Sequence, residues 1–436
     1  MSERIIIEFD DESKSEKDKS GKLSSGDKKS ESTGQENERI EIDLSDEINK
    51  IEIENIEETY EDKILRKSID CCYKGTNGHN NFFESSLNFP EGIEKGFSQS
   101  FRINLKDEFF NSVLFNNRYL ILSSYTGHVY FADRFTGYVE FKIHMQEQSF
   151  EKTGLVISNV VYLNSVRKIF KYAGTGEKKF DAEEIYSTVD DTFIWSNLNR
   201  RGNKILFTEY YKTEGTAELV IIDINSPEEI FRYRISVRNS ISDRICISGK
   251  NAFLLVDSKL FVFDIDKMTG EVSDINIAAD ENSFLFSSGN RLYITTISYE
   301  LYYLDLPLRE TVFKSTGIKN SYINSLGGFG DNVFMGTMEG WKLFKSTGLK
   351  IYEFEDEYEN RIECISRNVM VISKNNKIVF SNLNRFQEAE GYVISSDRLN
   401  ETEFIVSAVI SENEIFILTR RGIVESFSND KLNIHI

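Results

Sequence analysis

One short phrase of strand-forming residues is written eight times along this chain: "YLILSS" from residue 119, "VVYLNS" from 160, "KILFTE" from 204, "AFLLVD" from 252, "RLYITT" from 291, "NVFMGT" from 332, "NVMVIS" from 368 and "EIFILT" from 414. The step is about 42 residues, the size of one propeller blade. Each phrase has a short apolar stretch before it, as in "NSVLFNN", "SFLFSSGN" and "INSLGGFGDN". Each has a third stretch after it, such as "HVYFAD", "ELVIID" or "KLFVFD", and a weaker fourth, such as "YVEFKI" or "IFRYRI".

Four strands joined by short turns make one sheet, and the pattern within them says how the sheet is covered. The first three runs carry apolar residues at adjacent as well as alternate positions, as a strand does when neighbours cover both its faces. The fourth intersperses Lys, Arg and Glu, as an outer edge strand does. One such sheet cannot bury both faces alone, whereas eight set radially around an axis bury each other's. The sequence therefore predicts an all-β fold: one β-propeller over residues 95–436 with eight four-stranded blades, or seven if one repeat is spurious. Two stretches can close the ring, "SFRINL" near residue 101 and "KLNIHI" at the carboxy terminus.

The turns are written in Asn, Asp, Ser and Gly, since the chain has only three Pro. In "ADRFTGYV" and "DIDKMTGEV", Asp133 and Asp264 are placed to accept hydrogen bonds from turn amides, and Gly137 and Gly270 to take a positive φ. "KSTG" at 345–348 makes the same turn without the acid, while Asp223 and Asp305 keep the acid without Thr-Gly. Recurrence at one place in the repeat marks these aspartates as turn residues and not as catalytic groups.

The order of apolar strand, Gly, apolar strand ending in Asp, then Thr-Gly and a last strand, seen in residues 119–141, resembles the quinoprotein-type, or PQQ-like, propeller repeat. The resemblance spans about 95–436 and is most specific at 119, 252 and 332. It implies seven or eight blades, and a superfamily that holds both redox enzymes and noncatalytic assembly factors. Where the enzymes end the repeat with a Trp that docks neighbouring blades, this chain has Phe141, Phe231, Phe313 and Tyr352. Large apolar rings can fill the same role, and a WD40-like origin stays open.

Composition changes near residue 85. The formal charge of the chain is -19, and about half of it falls in the first sixty residues, among Ser, Gly and Lys. Residues 1–85 read as an acidic, mostly disordered arm, with helical spacing near 58–72 in "YEDKILRKSIDCCY". Two β-prone islands interrupt the arm. One holds Ile5, Ile6 and Ile7, the other Ile40, Ile42 and Leu44, each followed by acids. Such segments can add a strand to a partner's exposed sheet edge, and they resemble short SUMO-binding motifs.

Local catalytic motifs are absent from the sequence. The histidines His79, His128, His144 and His435 form no pair at metal-ligand spacing. "DIDKMTGEVSDI" fails as a calcium loop at Met268, Thr269 and Ile275, and neither "GGFGDN" nor "AGTGEKK" stands between a strand and a helix as a phosphate cradle would. "SNLNR" occurs at 196 and again at 381, in different places of the repeat, and reads as coincidence. The adjacent Cys71 and Cys72 invite comparison with the vicinal disulfide of quinoprotein alcohol dehydrogenases. Here, however, they precede the first blade, and the four cysteines suit a reducing compartment.

The expected function is a noncatalytic protein-interaction platform, a monomeric propeller within a hetero-complex; an enzyme or small-ligand binder with an axial site is the alternative. No cofactor is expected. Arg200, Arg201, Arg420 and Arg421, two pairs at hairpin turns, are the candidate protein contacts. The acidic balance argues against nucleic acid, whose binding draws on Lys and Arg. No apolar run is long enough to span a membrane. The opening residues lack the basic start and apolar run of a signal peptide, so a cytoplasmic or nuclear place is expected.

Overall fold

The computed structural model describes residues 60–73, 82–83, 85 and 87, and residues 97–428 apart from 147, 176–178, 190, 212, 308–311, 320–321, 375–376, 385–391 and 395–403. The β-prone islands at Ile5–Ile7 and Ile40–Leu44 lie outside the described residues, as do His79 and His435.

Eight antiparallel sheets follow one another along the chain, seven of four strands and one of five. Blade 1 runs from Leu114 to His144, blade 2 from Leu155 to Ser187 and blade 3 from Thr192 to Ser236. Blades 4, 5 and 6 span Cys246–Ser273, Leu285–Lys319 and Ile323–Glu355, blade 7 spans Asn360–Ile394, and blade 8 starts at Ile405. All eight of the repeated phrases are the second strand of a blade, and these strands are buried through most of their length. The outermost strands of blades 1, 4 and 6 are half-buried or exposed throughout.

Six of the eight phrases end in Ser or Thr, and five of them for a visible local reason. The Ser124, Ser165, Thr296, Thr337 and Thr419 hydroxyls each accept an amide of the following hairpin, from His128, Lys168, Glu300, Glu339 and Ile423 respectively, at 3.0–3.2 Å. A hydroxyl at that offset satisfies an amide that the reversal takes out of the ladder.

The ring closes with the amino-terminal candidate. Ser98–Asn104 pairs antiparallel with Ile423–Ser428, from Ser98 opposite Ser428 to Asn104 opposite Ile423, and becomes the outer strand of blade 8. "KLNIHI" lies outside the described residues. The chain that leads into blade 1 is thereby built into the sheet of blade 8, which joins the two ends of the ring.

Blade 3 departs from the repeat. Its inner strand is split into Thr192–Ile194 and Asn199–Arg201, both paired with Lys204–Tyr211. The first "SNLNR" lies at this break. Ser196 Oγ accepts the Thr208 amide at 2.9 Å, and Asn197 Oδ1 accepts the Thr153 amide of blade 2 at 2.7 Å, tying the two blades near the axis.

The turn aspartates behave as the repeat implies. Asp133 Oδ1 accepts the Phe135 and Thr136 amides at 3.1 and 2.9 Å, and Gly137 has φ 75°. Asp264 Oδ1 accepts those of Asp266 and Lys267. In this second turn, though, the left-handed residue is Met268, at φ 56°, and not Gly270. Gly270 is required for space: a Cβ there would lie 2.7 Å from the Phe261 ring and 3.0 Å from that of Phe263.

Apolar clusters fill the gaps between successive sheets. Leu206, Leu219 and Ile221 of blade 3 meet Ile247, Leu254 and Phe263 of blade 4, and similar clusters join each following pair. Phe231, one of the rings standing in place of a Trp, lies 6.1 Å from the Phe263 ring of the next blade, and the neighbouring Tyr233 lies 5.4 Å from the same ring. The aromatic replacement keeps the contact between blades.

Candidate functional site

A propeller has two faces. One, the turn face, carries the reversals between first and second strands and between third and fourth; the other, the linker face, carries the second-to-third hairpins and the connections between blades. Which face can receive a partner depends on what already covers it.

The chain covers part of its own turn face. After a helical turn at Tyr60–Leu65, residues 66–73 run over the turns of blades 1, 2 and 3 as a strap. Asn117 Nδ2 donates to the Leu65 carbonyl at 2.6 Å, and Asn159 exchanges three hydrogen bonds with Lys67 and Ile69. Cys71 pairs with Val156 of the inner strand of blade 2 as an antiparallel bridge, and Asp70 forms an ion pair with Arg200 at 2.6 Å. Farther along, Phe83 donates its amide to Ile365 of blade 7 at 2.7 Å, and the Leu87 carbonyl accepts from Asn368. Ile64, Cys71, Phe83 and Leu87 are buried by this contact.

Tyr73 marks where the strap meets the axis. Burial raises its phenol above the ordinary value, and it feels the charges of Arg244 and Asp243, before blade 4, and of Arg361 and Glu363, on the inner strand of blade 7. Blades 4 and 7 stand apart on the ring, so a side chain near both lies close to the axis. The charges there are matched: Lys152 pairs with Asp243 at 2.6 Å, and Arg361 with Glu363 at 3.6 Å. The described residues hold no group of three or more His, Cys, Asp or Glu side chains arranged for a metal.

Beside the strap lies a cavity of about 450 Å³ lined by Asp70, Cys71, Cys72, Arg200, Arg201, Gly202 and Ile247, among others. It brings together two pairs singled out from the sequence, the vicinal cysteines and the blade 3 arginines. Both cations are engaged, Arg200 with Asp70 and Arg201 with Asp266. Neither thiol is in a disulfide. Burial pushes the Cys72 thiol up to about 12, against the pull of Arg200, and raises Cys71 further. Neutral thiols are poor nucleophiles and poor metal ligands.

The linker face is different. Phe110, Tyr125, Val189, Ile297, Tyr322, Met338, Tyr358 and Phe404 all stand on its hairpins and linkers, and all are exposed, Phe404 by 67%. At the seam, Phe110 meets Tyr125 edge-on at 5.3 Å, and Arg420 lies over the Phe110 ring at 4.6 Å while pairing with Glu108 at 2.9 Å. Arg421 is exposed beside it. The four arginines thus fall on opposite faces, Arg200 and Arg201 under the strap, Arg420 and Arg421 in the aromatic patch. His128 also faces this side, 2.9 Å from Asp107 through Nδ1 and with its ring tilted against that of His144 at 4.5 Å.

The exposed apolar residues escaped the sequence reading because each is a single letter in a loop. A signal existed: Tyr125, Ile297 and Met338 directly follow the hairpin Ser124, Thr296 and Thr337. Aligned on that hydroxyl, the repeats put a bulky residue at one offset.

Eight radial sheets with a strand-closed seam define an eight-bladed β-propeller. Among solved structures it is similar to BamB from Moraxella catarrhalis, with a TM-score of 0.52 and 15% identity over 76% of this chain and 99% of that one. The chain accordingly folds as a BamB-like propeller. No family model and no curated protein sequence matches it. Since 1226 solved chains match this fold, the shape alone selects no activity. Among the described residues no helix is long and apolar enough to cross a membrane.

Proposed function

We propose that this protein is a noncatalytic interaction platform whose protein partners dock on the linker face. The observation that carries the reading is the asymmetry of the two faces. One is covered over blades 1, 2, 3 and 7 by residues 60–73, Phe83 and Leu87 of the same chain, while the other exposes most of the aromatic rings, Met338 and a ring-stacked arginine at the seam. Tyr, Phe, Met and Arg are the residue types enriched in the centre of protein interfaces. Scattered apolar side chains are ordinary on a surface, but a cluster such as Phe110, Tyr125 and Phe404 around Arg420 is a docking feature. The fold likeness to BamB is consistent with a platform.

The test is affinity purification of the full-length protein from its own cells, with two altered forms beside it. Phe110→Ser with Phe404→Ser alters the linker face, and Tyr138→Ser with Leu349→Ser alters exposed apolar residues of the turn face. Partners lost from the first and kept by the second support the reading. Partners kept by the first form and lost from the second overturn it.

A further inference from the structure

Blades 5, 6 and 7 carry a second patch on the linker face, built differently from the seam. The blade 6 hairpin presents Met338 and Glu339, the linker into blade 7 presents Glu357, Tyr358 and Glu359, and all five are exposed. They form one surface. The Asp356 amide donates to the Glu339 carbonyl at 3.0 Å, laying linker on hairpin, and Asn324 Nδ2 donates to Glu359 Oε1 at 2.9 Å. Tyr322, also exposed, extends the patch, its ring tilted against that of Tyr299 of blade 5 at 5.3 Å.

The charges in this patch are unequally matched. Lys374 pairs with Asp356, and its ammonium lies 5.6 Å from the centre of the Tyr358 ring and 6.0 Å from that of Phe354. Among the described residues no cation pairs with Glu339, Glu357 or Glu359. The patch thus holds one lysine in a cage of carboxylate and aromatic faces, and presents further carboxylates and tyrosines to solvent. A cation over an aromatic face and beside a carboxylate gains from both.

We propose that this surface docks a basic segment of a partner protein, with lysine or arginine heads lying over Tyr322 and Tyr358 and pairing with Glu339, Glu357 and Glu359, and apolar side chains resting on Met338. The assignment rests on the linker-face reading and names the chemistry of one partner. Charge complementarity selects the occupant: an acidic segment or a nucleic acid would meet only repulsion here. Exposed carboxylates also steer such a partner from a distance, so its association is fastest at low salt.

The experiment uses the full-length protein and two labelled synthetic peptides, one of alternating lysine and serine and its counterpart with glutamate for lysine, followed by fluorescence anisotropy. The lysine peptide is expected to bind with an affinity that falls on adding salt, and the glutamate peptide not to bind. Glu357→Lys with Glu359→Lys is expected to raise Kd about tenfold, and Tyr322→Ala with Tyr358→Ala severalfold. Glu228→Lys with Glu229→Lys makes the same change in net charge on the exposed outer strand of blade 3 and is expected to leave Kd within about twofold. All the altered side chains are exposed or at a rim, so folding is checked simply by circular dichroism. Equal weakening by the two charge-reversed forms, or no effect of reversal at 357 and 359, overturns the assignment. Native partners lost on altering Phe110 and Phe404 but kept on altering Glu357 and Glu359 overturn it too, and leave the linker-face platform standing.

Discussion

The guanidinium of Arg134, in blade 1, and the carboxylate of Glu414, in blade 8, form a fully buried ion pair across the seam, Nη2 to Oε2 2.5 Å. Arg134 also donates to the Asn116 carbonyl and to Ser411 Oγ, both at 2.7 Å, and lies near the rings of Phe115, Phe135 and Phe416. Desolvating both groups is expensive, so the pair adds little over a packed apolar pair. Removing one partner is another matter, because it strands the other charge. Glu414→Ala is expected to lower stability by about 3–5 kcal/mol in urea unfolding, and Arg134→Met with Glu414→Leu to recover most of it. A Glu414→Ala protein as stable as the parent would mean that the seam does not close through this pair.

Asp107 gives the seam a measurable pH dependence. Burial works against its charge, but the Thr126 and Tyr130 hydroxyls and the Glu108 amide donate to it and hold its pKa at about 2. A carboxyl depressed by folding stabilises above its unfolded value, near 4, and loses that contribution as pH falls toward 2. The shift is worth about 2 kcal/mol. The stability gap between the parent and Asp107→Asn is therefore expected to be constant above about pH 5 and to shrink by that amount down to pH 2. A gap that does not change over this range would sink the assignment.

Gly137 couples a turn to the closing strand. Its φ is 75°, and a Cβ there would lie 2.5 Å from the Phe101 ring of the strand that shuts the wheel. Gly202 has φ 57° with nothing within 4 Å of the same point. Gly202→Ala is expected to cost about 1–2 kcal/mol for the left-handed backbone alone. Gly137→Ala carries that cost and about 1–3 kcal/mol more for overpacking. Equal midpoints of denaturation for the two would show that Phe101 yields freely.

These positions also show what the sequence could disclose. The eight second strands are legible because burial on both faces demands unbroken apolar runs, and a closing hydroxyl such as that of Ser124 or Thr337 fixes five of the phrases at one end. The split inner strand of blade 3 is not, since nothing in the letters "SNLNR" announces that Asn197 accepts the amide of Thr153, in the linker into blade 2. Nor is the strap. Ile69, Cys71 and Phe83 belong to apolar steps of one or two residues in a polar stretch, and their amides are held by Asn159 and by the carbonyls of Val156 and Ile365, partners that composition cannot reveal. The linker-face patches were hidden for a related reason, because their aromatic residues come from different blades.

The strap can be followed through its own thiols. Cys246 and Cys364 are buried within blades 4 and 7, whereas Cys71 and Cys72 belong to a segment whose helical turn exposes Lys63 and Leu65 to solvent. Burial raises all four thiols, so little reactive thiolate exists in the native protein at pH 8. Labelling by a disulfide reagent should then be slow at every site and limited by opening. Local release of the strap exposes Cys71 and Cys72 without unfolding a blade, so these two are expected to label first, and Leu87→Ala, which removes a fully buried anchor, to speed them selectively. Labelling of Cys71 and Cys72 in the parent at the rate of a free thiol would show that the strap does not cover the turn face.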